Sequence, residues 1–262
     1  MVQPGQAAKR RSAGVSMGLA GVILAAGEST RMGRDKAMLP WPPISVRPPS
    51  NKLSEDEFIG PDVLVRAGAP SSAQNAAGRV EAPAPAQASW GSGTLLSSNI
   101  AALNRFCDFV IVVGGENEGA LRAIVDASGG FLARNPRPDL GQFSSLQTGL
   151  REVLNQGRDS ALVTLVDRPP PQSTTLQTLL AAFTSRDHGM WSVVPEFQGK
   201  HGHPILIGRE MIEAFLKAPA TSIARDIEHA NQRRILYLPV NDPFVTANID
   251  TPEQYASLQS QS

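Results

Sequence analysis

The stretch from Leu19 to Lys36 constrains this chain more than any other. Leu19 to Ala25 is a short, unbroken apolar run, the pattern of a strand buried on both faces. It gives way at Ala26-Gly27 to a small polar loop, where Gly27 and Gly33 permit backbone shapes that a side chain would forbid. Arg31 and Lys36 place positive charge beside that loop. A strand, a tight loop rich in free N–H groups and then cations together suit a polyphosphate. The spacing is not that of the common phosphate-binding loop, which needs Gly, four residues, then Gly-Lys-Ser/Thr. Here five residues separate Gly27 from Gly33, and Lys36 comes three later.

Further apolar runs follow at 109–113, 131–133, 161–166, 191–194, 205–207 and 235–240. Helical stripes stand between most of them, at 95–106, 116–128, 144–154, 172–184, 210–216 and 223–229. This alternation predicts an α/β fold, a mainly parallel sheet with helices on both faces and right-handed crossovers. Ligands in such sheets sit beyond the C-terminal ends of the strands, where Gly27, Gly114 and Asp167 fall. The 262 residues suffice for one such domain, over 17–262. Residues 1–16 carry Lys9, Arg10 and Arg11 among small polar residues and read as a disordered tail rather than a signal peptide. Residues 42–89 are rich in Pro, Ala, Ser and Gly and read as a low-complexity, disordered insertion.

The formal net charge is zero, so no basic field points to nucleic acid or a membrane surface. Nothing approaches the length of a transmembrane helix, and the cytoplasm is the expected compartment. Cys107 stands alone and reads as a small apolar residue at a helix end.

Asp167 closes a strand on the side of the phosphate loop. A carboxylate there is a natural ligand for a hard cation, which takes few protein ligands and shares the rest with phosphate and water. The other reading of Asp167 is a helix cap before the proline run. Asp250, in Asn248-Ile249-Asp250-Thr251-Pro252-Glu253, carries the same two readings, since Asp250 or Thr251 before Pro252 makes a good helix start. Ser144 or Ser145 can cap the helix holding Leu146, Leu150 and Leu154. His201 and His203 invite a metal reading, but no third ligand stands at a recognised spacing.

The run Leu24-Ala25-Ala26-Gly27, Ser29, Arg31-Met32-Gly33, Lys36, Leu39-Pro40 resembles the N-terminal signature of the nucleotidyltransferases related to molybdenum cofactor cytidylyltransferase, L-A-A-G-x-S-x-R-M-G-x-x-K-x-L-L-P. Asn135 with Gly141 to Leu150 resembles that family's N-x-x-x-x-x-G-x-x-S-S-L-x-x-G-L segment. Asp167-Arg168-Pro169 stands where the family carries Asp, often followed by Gln-Pro. Asn248 to Tyr255 resembles the family's closing N-I-D-T-P-E-D-Y and departs from it only at Gln254. The resemblance spans Leu19–Pro40 and Trp90–Leu258.

The resemblance implies a Rossmann-like nucleotidyltransferase domain. It places Leu24, Ala25, Ala26, Gly27, Ser29, Arg31, Lys36, Asn135, Ser144 and Ser145 at the nucleotide. Arg31, Lys36 and Asp167 are implied as catalytic, Asp167 and Asp250 as ligands of Mg2+ or Mn2+, and His203 as a residue of the acceptor side. Ala25-Ala26-Gly27, in place of the Ala-Gly-Gly of guanylyl-transferring relatives, favours CTP. The implied reaction joins CMP from CTP to the phosphate of molybdopterin, the molybdenum cofactor, with release of pyrophosphate; a molybdoenzyme or its chaperone is a further partner. Two alternatives stand beside it. One is transfer from GTP or to a sugar phosphate. The other is a non-catalytic nucleotide- or cofactor-binding chaperone, kept in play by Arg168 and by the long insertion.

Overall fold

Six consecutive apolar residues, Leu19–Leu24, form β1, and all six are buried. A strand with neighbours on both sides and helices on both faces has no surface left for water, which is why the run does not alternate. The computed structural model describes residues 18–27, 35–42 and 93–258, which fall within one structural unit. The tail expected at 1–16, the insertion beyond Pro42, and Ser29, Arg31 and Gly33 lie outside the described residues.

In chain order, β1 is followed by β2 (Pro40–Trp41), β3 (Gly93–Thr94), α1 (Leu95–Asn104), β4 (Phe109–Gly114), α2 (Glu118–Ala127) and β5 (Phe131–Arg134). Then come α3 (Gln142–Asn155), β6 (Ser160–Leu165), α4 (Ser173–Ser185), β7 (Ser192–Phe197), β8 (Lys200–His201) and β9 (Ile205–Gly208). The chain continues through α5 (Arg209–Lys217), α6 (Ala224–Ala230), β10 (Ile235–Pro239) and α7 (Pro252–Ser257). The main sheet has the order β10-β7-β9-β6-β1-β4-β5, with β8 paired to β7. β1 pairs in parallel with both β4 and β6. The strand order reverses there, so the crevice beyond Leu24 and Leu165 is the topological switch point at which such sheets hold ligands.

The sheet is mainly parallel, as the alternation predicts, with β9 as an exception: it runs antiparallel to both β6 and β7. Between β7 and β9 the chain has only residues 198–204, too few for the crossover that a parallel return needs. One face of the sheet packs Val22, Val113 and Val163 against Leu146, Leu150 and Phe215 of α3 and α5. The other packs Ile23, Val112 and Leu162 against Ile100, Leu121 and Leu179 of α1, α2 and α4. A Cβ at Gly149 would meet Val22 Cγ1 at 2.7 Å, so α3 lies close on the sheet and its first turn stands at the switch point. A third cluster, Leu39, Trp41, Leu95, Ile249 and Leu258, seats the C-terminal arm on the β2–β3 ribbon. Among the described residues no helix is long and apolar enough to cross a membrane.

Candidate active site

The segment after β1 begins at Ala25, whose N–H donates to Val113 O at 2.9 Å. Gly27 has an ordinary φ, and among the described residues nothing lies within 4 Å of where its Cβ would stand. Its missing side chain therefore leaves room in front of the loop rather than making a turn possible, which corrects the sequence reading. Asp35 caps the one-turn helix Lys36–Met38 by accepting from Ala37 N at 3.0 Å. Asn117, which the sequence did not single out, donates to Ala25 O at 3.0 Å and to Asp35 Oδ2 at 2.8 Å. A single amide thus ties both ends of the segment carrying Ser29 and Arg31.

Lys36 is the centre of the cluster. Its ammonium reaches Asp250 Oδ1 at 2.8 Å and Asp167 Oδ2 at 3.2 Å. The lysine side chain is 13% exposed, and the two carboxylates about a quarter. Residues from the one-turn helix at Lys36–Met38, the turn after β6 and the segment before α7 thus share one charge centre. Neither carboxylate caps a helix. α4 begins at Ser173, beyond Asp167. α7 is capped by Thr251, whose Oγ1 accepts from Gln254 N, while Gln254 Oε1 accepts from Thr251 N at 3.2 Å and also from Asp250 N at 2.7 Å. Gln254, the departure within the closing motif, completes this capping box and leaves the Asp250 carboxylate for Lys36 and Asn248.

Asp167 Oδ1 is buried and has no hydrogen-bond donor among the described residues. A buried carboxylate oxygen without a partner is costly, and a hard cation fits it. Among the described residues no three His, Cys, Asp or Glu side chains gather to hold a metal. Two carboxylates suffice for a cation that shares its other ligands with phosphate and water.

Several bonds fasten the arm that delivers Asp250. Buried Asp242 accepts from Gln172 N and Thr175 Oγ1, each at 2.8 Å. Asp167 O accepts from Ile249 N at 3.0 Å, and His203 N donates to Val245 O at 2.8 Å. A Cβ at Gly202 would stand 2.3 Å from Val245 O, so only glycine lets the loop before β9 come this close. Arg168 Nη1 donates to Thr246 O at 3.2 Å and Ala247 O at 2.8 Å.

Asn135, Ser144 and Ser145 are buried at the start of α3. Asn135 Nδ2 donates to both hydroxyls, at 2.8 and 2.9 Å, and Ser144 Oγ donates to Gly141 O at 2.7 Å. The helix begins at Gln142, with Gly141 at φ 89° preceding it, so neither serine is the cap that the sequence suggested. The two hydroxyls instead join Asn135 to the first turn of α3, beside the switch point.

His203 lines a cavity of about 420 Å³ with Leu24, Gly141, Phe143, Leu165 and Ile205. Burial first, and then the Arg168 charge, push its imidazole down from 6.5 to about 4. His201 instead stacks on Tyr237 with ring centroids 3.9 Å apart, and faces Glu196, so the two histidines do not form a metal pair. Burial, then Asp108, pushes the Cys107 thiol up to about 12, far from the range of a reactive thiolate.

The His203 shift has a consequence for stability. The unfolded imidazole takes a proton near 6.5, while the folded one resists until about 4. Stability is therefore full above pH 6.5 and drains as pH falls toward 4, by on the order of 1–3 kcal/mol. Melting curves across that range should show the decline, and His203→Gln should flatten it. Superimposable profiles would mean that the ring is not held neutral.

The family described as the MobA-like NTP transferase domain matches residues 84–236. No curated protein matches the chain. Rv0371c from Mycobacterium tuberculosis H37Rv superposes with a TM-score of 0.62 at 18% identity, over 94% of this chain and 98% of that one. That protein has also been solved as a complex with manganese. A nucleotidyl transferase from Methanothermobacter thermautotroptrophicus gives 0.61 at 17% identity, over 93% and 96% of the two chains. Molybdopterin-guanine dinucleotide biosynthesis protein A from Archaeoglobus fulgidus gives 0.55 at 13% identity, over 92% and 97%. At these identities the likeness is one of fold.

Proposed function

We propose, since the chain belongs to the MobA-like NTP transferase domain family, that it transfers CMP from CTP to the phosphate of a molybdopterin-type acceptor and releases pyrophosphate. The observation that carries this reading is the single ammonium of Lys36 held by Asp167 and Asp250 at the switch point. The two carboxylates would hold Mg2+ or Mn2+, in keeping with the orphaned Asp167 Oδ1 and with the manganese complex of Rv0371c. When bound, such an ion neutralises charge on the α-phosphate and on the departing pyrophosphate.

The chain's own residues supply position and charge. The segment from Leu24 to Gly27, with Ser29 and Arg31 beyond it, receives the triphosphate. Asn117 and Asp35 fix the ends of that segment. Lys36 turns from the carboxylates to the phosphates and stabilises the leaving group. Asn135, Ser144 and Ser145 hold the cleft wall beside the nucleotide. The acceptor occupies the cavity lined by His203, and its phosphate oxygen attacks the α-phosphorus as the bond to pyrophosphate breaks. No covalent intermediate on the protein is needed, because orientation and electrostatics carry the step.

The choice of CTP rests on Ala25-Ala26-Gly27. The Archaeoglobus neighbour, named for a guanine dinucleotide, keeps GTP as the second reading. The chaperone reading loses part of its support, since Arg168 braces the site rather than disrupting it. The test is pyrophosphate release from CTP, GTP, ATP and UTP, with and without Mg2+ and a molybdopterin acceptor. Release should be fastest with CTP, Mg2+ and acceptor together. Fastest release with GTP would replace the donor, and no release from any combination would move the assignment to a binding protein.

A further inference from the structure

We infer that Arg168 is a positioning residue that sets where the Asp250 carboxylate stands beside Asp167, and thereby how tightly the site holds a divalent cation. The inference rests on the two-carboxylate reading above.

Arg168 belongs to the turn that follows β6 and carries Asp167, yet its guanidinium is spent on a different segment. Nη1 donates to the carbonyls of Thr246 and Ala247, at 3.2 and 2.8 Å. These are the last two carbonyls before the Asn248-Ile249-Asp250 run. The base of the side chain is itself anchored. Buried Asn99 of α1 donates to Arg168 O at 3.0 Å and to Leu95 O at 3.0 Å. Arg168 is therefore a strut from α1, through the Asp167 turn, to the arm that bears Asp250.

The arm needs such a strut. Upstream, at Val245, it is gripped by His203 N and by the close approach of Gly202. Downstream, Ile249 N binds Asp167 O at 3.0 Å. Between them, Thr246 and Ala247 form a turn whose carbonyls point at Arg168. Carboxylates that share a cation have to be placed within about 0.5 Å. Arg168 holds the one stretch between those two anchors, and with it the approach of the chain to Asp250.

The choice of residue also fits the task. A guanidinium is a rigid planar fork of donors, well matched to two neighbouring carbonyls. The glutamine that the resembled family often carries here is shorter and offers fewer donors. Arg168 Nε is buried without a partner among the described residues. Leaving that donor unpaired is costly, so the head of the side chain is held in place by the two carbonyls it grips.

The experiment titrates the full chain with Mn2+ at fixed CTP. Water-proton relaxation reports the ion held in the protein complex. Variants are Arg168→Met, which keeps the length without donors, Arg168→Lys, and Asp167→Asn as control. Arg168→Met should raise the Mn2+ dissociation constant about tenfold or more. Arg168→Lys should recover part of the loss, because an ammonium can reach one carbonyl. The KM for CTP at saturating Mn2+ should stay near wild type. Wild-type Mn2+ affinity in Arg168→Met overturns the inference, even if its melting temperature falls. Should that variant not fold, wild-type affinity in Arg168→Lys does the same. If Asp167→Asn also binds Mn2+ normally, the two-carboxylate reading is what fails. If only the control loses the ion, the role of Arg168 is wrong and the metal site stands.

Discussion

Lys36→Ala should lower kcat by about a hundredfold or more, the scale seen when one preorganised charge is removed from a developing anion. The structure sharpens this expectation. Lys36 sits between Asp167 and Asp250, where it would compete with the proposed cation for the same oxygens. Removing the ammonium leaves two carboxylates facing a common point, which favours a divalent ion. The variant should therefore bind Mn2+ at least as well as wild type while turning over far more slowly. A metal ligand would lose both together, and a merely structural lysine would lose neither. Single-turnover kinetics beside Mn2+ titration separates the cases. An unchanged rate would remove Lys36 from the reaction.

Asp167→Asn should do the reverse. The amide keeps the shape but gives up the charge, so metal affinity and metal-dependent turnover should both fall, on the order of a hundredfold or more. Stability should change little. Lys36 keeps its bond to Asp250, and Ile249 keeps its bond to the Asp167 main-chain oxygen. The substitution also replaces a buried, unpartnered carboxylate by a neutral amide, which removes the cost of holding a charge there. Melting temperature near wild type with activity lost is the expected pair. Unaltered metal dependence would place the ion elsewhere.

Much of this was legible in the sequence, and the rest was hidden for identifiable reasons. The central strands declare themselves, because Leu19–Leu24 and Phe109–Gly114 are buried on both faces and leave no polar interruption. The direction of Ile205–Gly208 was not legible, since a four-residue apolar run carries no sense of orientation. Asp167 and Asp250 were marked by their motifs, but their meeting at one lysine is a tertiary fact. Asn117 carries no local signal at all, because its partners stand 92 and 82 residues away. Arg168 was visible only as a departure from a pattern. Its purpose lies in carbonyls 78 and 79 residues further on. The serines of α3 misled by their chemistry: both suit a cap, but the positive φ of Gly141 starts the helix earlier.

The most direct measurement is anomalous diffraction from crystals grown with Mn2+ and a non-hydrolysable CTP analogue. One manganese peak bonded to Asp167, Asp250 and the triphosphate, with Lys36 turned onto a phosphate, is the predicted result. A peak away from both carboxylates, or a triphosphate bound with Lys36 still bridging them, would contradict it.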